Sequence, residues 1–334
     1  MDYSRQALRN KDNNTAVILA SMKVSYKALI KQKKDIYAKE QWKQLALAVT
    51  QKNEKQFWDI TSRGMHMARP VILGHISSEQ WFTHFSGLYG ANSSENNPPT
   101  IFEMTCLPLW LPVIIAEIKK LIAALALGKA PGENMMPPEI FKNFPEWWAP
   151  ILAKVFTQIN NSGLIPEGWK QSIVVPIYKK GDKQDPNNYR PISLLDIDSK
   201  LYSKHLLNKL EDWESANHII HPEQAGFRKG QSTIDQCLTL YFLAQQAITG
   251  PTKHLFVAFV DLAATFDSID RNLLWQKLTN TNIDKCLLFL IKALYSDTTA
   301  RIRVGTSGSL TDAIHTSKGV KQGCLLAPTL FILE

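Results

Sequence analysis

From Leu255 to Val260 the chain reads LFVAFV, and Asp261 follows at once. Six consecutive apolar residues, rich in β-branched and aromatic types, predict a strand. Polar residues do not alternate with them, so neither face suits water and the strand is expected in the middle of a sheet. An aspartate ending such a strand is held rigidly, and burying it unpaired costs several kcal/mol. Magnesium asks for such a placement, because it takes hard oxygen ligands on a stiff support. In-line nucleotidyl transfer uses two such ions about 3.5–4 Å apart. A second carboxylate, Asp267, stands six residues on. It precedes SIDRNLLWQKL and reads as the N-cap of a helix, with Asp270 in the first turn complementing the helix dipole. The chain has no Asp-Asp dipeptide.

The flanking segments predict an α+β fold. Residues 14–60 have helical spacing, with Leu19, Met22, Tyr26, Leu29 and Ile36 set among lysines. The aromatics there (Tyr26, Tyr37, Trp42, Phe57, Trp58) are expected to pack against a neighbouring helix. Residues 113–127 read as an amphipathic helix stopped by Gly128, and 145–161 as another helix. SIVVPIYKK (172–180) and YRPISLL (189–195) are strands joined by the turn chemistry of GDKQDPNN. Helices are predicted over 199–213, 234–248, 270–278 and 285–294, and strands over 300–304 and 310–316. Strands and helices mix without regular βα alternation, which argues against a doubly wound fold. GxGxxG and GxxxxGK[ST] motifs are lacking.

The net charge of +8 is localised. Residues 1–70 carry 14 lysines and arginines against 6 carboxylates, and the remainder carries 24 against 24. A basic segment of this kind is an electrostatic footprint for a polyanion, or a solvated helical face. Four widely spaced cysteines read as reduced thiols in an intracellular protein. No apolar run reaches the ~18–20 residues that span a bilayer, so no membrane partner is expected.

The order of motifs resembles the reverse transcriptase of non-LTR (LINE-like) retrotransposons. GKAPGEN (128–134), SIVVPIYKKGD with NNYRPISLL, QAGFRKGQST (224–233), FVDLAATFD (259–267) and GVKQGCLLAPTLF (319–331) are similar to successive family motifs. The resemblance implies a right-hand polymerase: fingers and a partial palm at 128–334, a mostly helical linker region at 71–127 and a basic helical connector at 1–70. It implies that Asp261, with the Leu262 carbonyl, holds the two magnesium ions. Lys179, Lys180 and Arg190 would grip the deoxynucleoside triphosphate, and Phe266 would exclude a ribose 2′-hydroxyl. Gln322 and Gly323 would lie under the nucleotide, and Arg228 and Lys229 would touch the template backbone. RNA template and DNA primer are the implied partners. Ala263, Ala264, Asn134, Leu325 and Ala327 depart from the family pattern. A second carboxylate motif, a thumb and an endonuclease are not found, so the chain alone is expected to be inactive and poorly soluble, with LLAPTLFIL exposed. A non-catalytic nucleic-acid-binding remnant of a retroelement is the alternative reading.

Overall fold

The computed structural model describes residues 13–51, 76–90, 112–231, 233–250, 254–262, 264–305 and 308–334. The chain divides into two compact units, Met1–His66 and Met67–Glu334. In the first unit, helix α1 (Asn13–Thr50) is unbroken for 38 residues. It contains neither glycine nor proline, and at 1.5 Å per residue it extends for roughly 57 Å. Val24, Leu29, Ile36, Tyr37 and Leu47 are exposed along it. Of the aromatics in this segment, Tyr37 is exposed and Trp42 half-buried, and Tyr26, Phe57 and Trp58 lie outside the residues whose side chains are described.

In the second unit, helix α2 (Ser78–Tyr89) starts at a reciprocal cap. The Ser77 hydroxyl accepts from the Gln80 N–H at 3.2 Å, and the Ser77 N–H donates to the Gln80 side chain at 2.8 Å. Short helices follow, α3 (Ile115–Ala123) and α4 (Pro138–Asn143), then α5 (Pro145–Ser162) and the single turn α6 (Glu167–Lys170). The hairpin comes next, β1 (Gln171–Tyr178) and β2 (Tyr189–Leu194), antiparallel with Ile177 opposite Arg190. Four helices succeed it: α7 (Ile197–Asn217), α8 (Thr233–Thr249), α9 (Arg271–Thr279) and α10 (Lys285–Tyr295). Strands β3 (Thr299–Val304), β4 (Ser309–Leu310) and β5 (Ile314–His315) lead to helix α11 (Ala327–Leu333). The sheet runs β2-β1-β3-β4, with β5 also on β3. β1 and β3 are parallel, Gln171 pairing Thr299. Among the described residues the architecture is therefore mixed α/β with one five-stranded sheet.

Helix α2 covers one face of the sheet. Ile76, Trp81, Phe85 and Tyr89 pack on Val174, Tyr189, Ala300, Ile302 and Ile314. Trp81 meets Tyr189 edge-on at 5.0 Å. The larger core gathers α3, α5, α7, α9, α10 and α11, with Ile118, Phe156, Tyr202, Leu206, Leu274 and Leu330 completely enclosed. The end of LLAPTLFIL is thus a packed helix and not an exposed patch.

Two expectations are corrected. Residues 254–262 form no strand. Phe256, Phe259, Val260 and Leu262 are exposed, and residues 254–261 make no backbone hydrogen bond to another described residue. A strand is made by its neighbours, and no described strand offers this run a ladder. Asp267 caps no helix, because that role falls to Asp270, whose carboxylate accepts from the Asn272 N–H at 2.8 Å and the Leu273 N–H at 3.2 Å.

Candidate active site

The hairpin that carries Lys179, Lys180 and Arg190 is held in shape by its own loop. The Lys179 N–H donates to the Asn188 carbonyl at 2.8 Å, the Tyr178 hydroxyl to the Gly181 carbonyl at 2.7 Å, and the Tyr189 hydroxyl to the Lys183 carbonyl at 2.8 Å. All three cationic side chains are exposed. In β2, Tyr189, Pro191 and Ser193 are buried, whereas Arg190 faces solvent.

The segment 316–324 is bound to that hairpin and to the turn after Asp261. The Ser193 N–H donates to the Gln322 carbonyl at 2.7 Å. Gly323 has φ +130, and a Cβ placed on it would lie 2.3 Å from the Ser193 carbonyl oxygen. Glycine is required there for close backbone approach, and the backbone it approaches is β2. On the other side, the Val320 N–H donates to the Phe266 carbonyl and the Gly319 N–H to the Ile269 carbonyl, both at 2.8 Å. Gly319 has φ +77, and a Cβ there would be 2.8 Å from the Asp267 carbonyl oxygen.

Arg271 locks this arrangement from inside. Its buried guanidinium donates to the carbonyls of Gly319 (2.8 Å), Tyr295 (2.9 Å) and Thr316 (2.8 Å) and to the hydroxyls of Thr298 and Thr316 (both 3.3 Å). The planar fork thus ties α9, α10, β5 and the approach to Gln322 at one point. Burial pulls its pKa down to about 10. Beside it lies a cavity of about 20 Å³, room for a water molecule, lined by Asp267, Tyr89, Ser193, Thr316 and Lys321 among others. Burial raises the Asp267 carboxyl to about 7, opposed by the positive charge of Lys179. Burial also lowers Lys321 to about 8; Cys324 opposes that shift and the Arg271 charge adds to it. The Lys321 ammonium donates to the Lys170 carbonyl at 3.2 Å.

Phe266 is half-buried in a ring cluster, 5.8 Å from Phe227 and 5.4 Å from Phe331 between centroids. Its neighbour in that cluster belongs to the loop of Arg228 and Lys229. The Arg228 guanidinium is turned inward onto the His221 and Gln224 carbonyls at 3.3 and 3.4 Å, whereas Lys229 is exposed. The structure therefore brings together the hairpin, Phe266, Gln322 and Gly323. It leaves Asp261 apart, exposed in an unpaired run, and the Leu262 carbonyl accepts from the Thr265 hydroxyl at 2.9 Å. Among the described residues no three carboxylate, histidine or cysteine side chains converge. These residues do not fit a two-magnesium site in this arrangement.

Sequence reasoning missed Arg271, Lys321 and Asp196 and misassigned Asp267. Asp196 is buried and accepts from the Asn134 N–H at 3.1 Å, joining GKAPGEN to the start of α7. The missed signal was a charged residue inside or beside an apolar helical period, as in IDRNLLW and GVKQG.

The site is thus a hairpin with a glycine-bearing loop laid on its edge strand β2, and a buried arginine that ties the loop to α9 and α10. Residues 177–333 match the family model of the reverse transcriptase (RNA-dependent DNA polymerase). The chain is related to the enzymes of non-LTR retrotransposons. It is 30% identical over 231 residues to the RNA-directed DNA polymerase from mobile element jockey of Drosophila melanogaster, covering 69% of this chain and 25% of that protein. It is 29% identical over 262 residues to the probable RNA-directed DNA polymerase from transposon BS of the same fly, covering 76% and 28%. It is 32% identical over 171 residues to the retrovirus-related Pol polyprotein from type-1 retrotransposable element R2 of Popillia japonica, covering 51% and 23%. The chain spans about a quarter of the length of these relatives.

Proposed function

We propose that this chain serves RNA-directed DNA synthesis of the non-LTR retrotransposon type. The hairpin β1–β2 acts as fingers, and the 319–324 loop is the platform under the incoming nucleotide. The observation that carries the reading is the seating of Gln322 and Gly323 on Ser193, which sets the loop at a fixed height beside the exposed Arg190 and Lys179. Arg190 and Lys179 meet the triphosphate, Arg190 through its bidentate fork.

The test is equilibrium binding of a deoxynucleoside triphosphate to the chain with an RNA template–DNA primer duplex. Binding that weakens about tenfold in Arg190→Ala upholds the reading. Failure to bind the duplex or the triphosphate overturns it. With Asp261 alone and exposed, no template-directed extension is expected from the chain by itself, and extension would contradict that assignment.

A second reading has its own observation. Lys27, Lys31 and Lys34 stand exposed at helical spacing on α1, with only Asp35 and Glu40 as acidic residues of that helix. Such a row suits a phosphate backbone. Non-catalytic binding of single-stranded RNA through it would show log affinity falling with log salt at a slope near −2, about −0.7 per neutralised phosphate.

A further inference from the structure

We propose that the sheet face turned away from α2 is a further nucleic-acid site, in which Arg301 and Arg303 hold the backbone of an unpaired RNA strand close to Arg190. The strand register puts the three arginines together. Helix α2 takes Val174, Ala300 and Ile302 on its side of the sheet. Side chains alternate along a strand, so Ile173, Val175 and Ile177 of β1 and Arg301 and Arg303 of β3 stand on the other side. Ile177 pairs with Arg190 on β2, and Ile173 pairs with Arg301 on β3. Arg301 and Arg303 are therefore roughly 6.6 Å apart along one strand, and Arg190 stands two strands away, roughly 10 Å across the sheet. The floor between them is aliphatic: Ile173 and Val175 are buried, Ile192 is half-buried and Ile177 is exposed.

Charge decides the occupant. The Arg303 guanidinium is half-buried and has no hydrogen-bond or ion-pair partner among the described residues. Burial pulls its pKa down, and no carboxylate stands near enough to oppose that. A desolvated charge without a partner is unfavourable, so this position costs the free chain stability and favours an anion. Arg301 has one partner, Glu133, at 3.3 Å, in an ion pair that stays open to water. Three arginines against one carboxylate leave an excess of positive charge over an apolar floor. Phosphates suit it, because each arginine fork meets two phosphate oxygens. The aliphatic floor offers base edges neither donor nor acceptor, so the contact is with the backbone and carries no sequence preference. The proposal rests on the reading of β1–β2 as fingers: the occupant is the unpaired template strand beyond the nucleotide that Arg190 and Lys179 hold.

The test is equilibrium binding of an unstructured RNA oligonucleotide of about twelve nucleotides to the full chain. Lys27→Gln, Lys31→Gln and Lys34→Gln are introduced first, to remove the α1 row, and binding is expected to survive them. In that background Arg303→Gln is expected to weaken binding about tenfold and to make the slope of log affinity against log salt shallower by about 0.7, the share of one phosphate on a single strand. Arg303→Lys is expected to keep the slope and lose part of the affinity, because the charge remains and the fork is gone. Without RNA, the melting temperature of Arg303→Gln is expected to equal or exceed the parent's, since a half-buried unpaired charge is removed. Loss of triphosphate affinity in Arg190→Ala tests the fingers, and the salt slope in Arg303→Gln tests this face, so each reading can fail alone. Binding that vanishes with the lysine row overturns the proposal, as do an affinity and slope that do not move in Arg303→Gln. A tenfold preference for single-stranded DNA of the same sequence, or for an acidic peptide, also overturns it and assigns the face to another partner.

Discussion

The run 254–262 and the loop 316–324 follow opposite rules. The first is nearly all apolar and stands in solvent. The second is rich in polar and charged residues, yet Thr316, Val320 and Cys324 are buried and its backbone is hydrogen-bonded to Phe266, Ile269 and Ser193. Hydrophobicity therefore does not decide which of the two belongs to the folded core. The loop is inside because Arg271 satisfies its carbonyls and because Gly319 and Gly323 let backbones touch. The apolar run is outside because burial of a strand needs a ladder on at least one edge.

The largest effect is expected from breaking the locked side. Arg271→Ala leaves three buried carbonyls and two buried hydroxyls short of donors, at about 1–3 kcal/mol for each group left unsatisfied. A loss on the order of 5 kcal/mol is expected by urea denaturation. A loss below about 1 kcal/mol would show that the loop does not depend on the fork.

A smaller effect concerns pH. The Asp267 carboxyl holds its proton in the folded chain up to about pH 7 and loses it near pH 4 when unfolded. The folded state binds more protons between those values, so this group makes stability fall as pH rises through about 4 to 7. The slope is at most ~1.4 kcal/mol per pH unit, and Asp267→Asn is expected to remove it and to exceed the parent in stability at pH 8. Thermal melts from pH 4 to 8 check this. A variant with an unchanged slope would assign the pH dependence elsewhere.

The smallest effect should come from the bare side. Phe256→Ser is expected to alter monomer stability by no more than about 0.5 kcal/mol, whereas Phe156→Ala, at the centre of the helical core, should cost about 3–5 kcal/mol. Equal losses would mean that the run is packed after all.

Much of the fold was legible in the sequence. The hairpin declared itself through β-branched runs around GDKQDPNN, and the helices α5, α7, α9 and α10 through their period. The serine–glutamine cap at 77–80 was written in the sequence but was not recognised there. Pairing was not legible: nothing local to 255–262 states whether a neighbouring strand exists, and parallel pairing of Gln171 with Thr299 joins residues far apart in the chain. The motifs told where Gln322, Gly323 and Phe266 gather. They did not tell that Gly323 is needed for Ser193, or that a buried arginine four residues past Asp267 holds the whole arrangement.

Amide hydrogen exchange, read residue by residue at a concentration where the chain is monomeric, tests the contrast most directly. The account predicts that the amides of 255–261 exchange at nearly the rate of an unstructured peptide, while those of Ser193, Gly319 and Val320 are protected to near the global stability. Protection of 255–261 equal to that of Val320 in the monomer would contradict it.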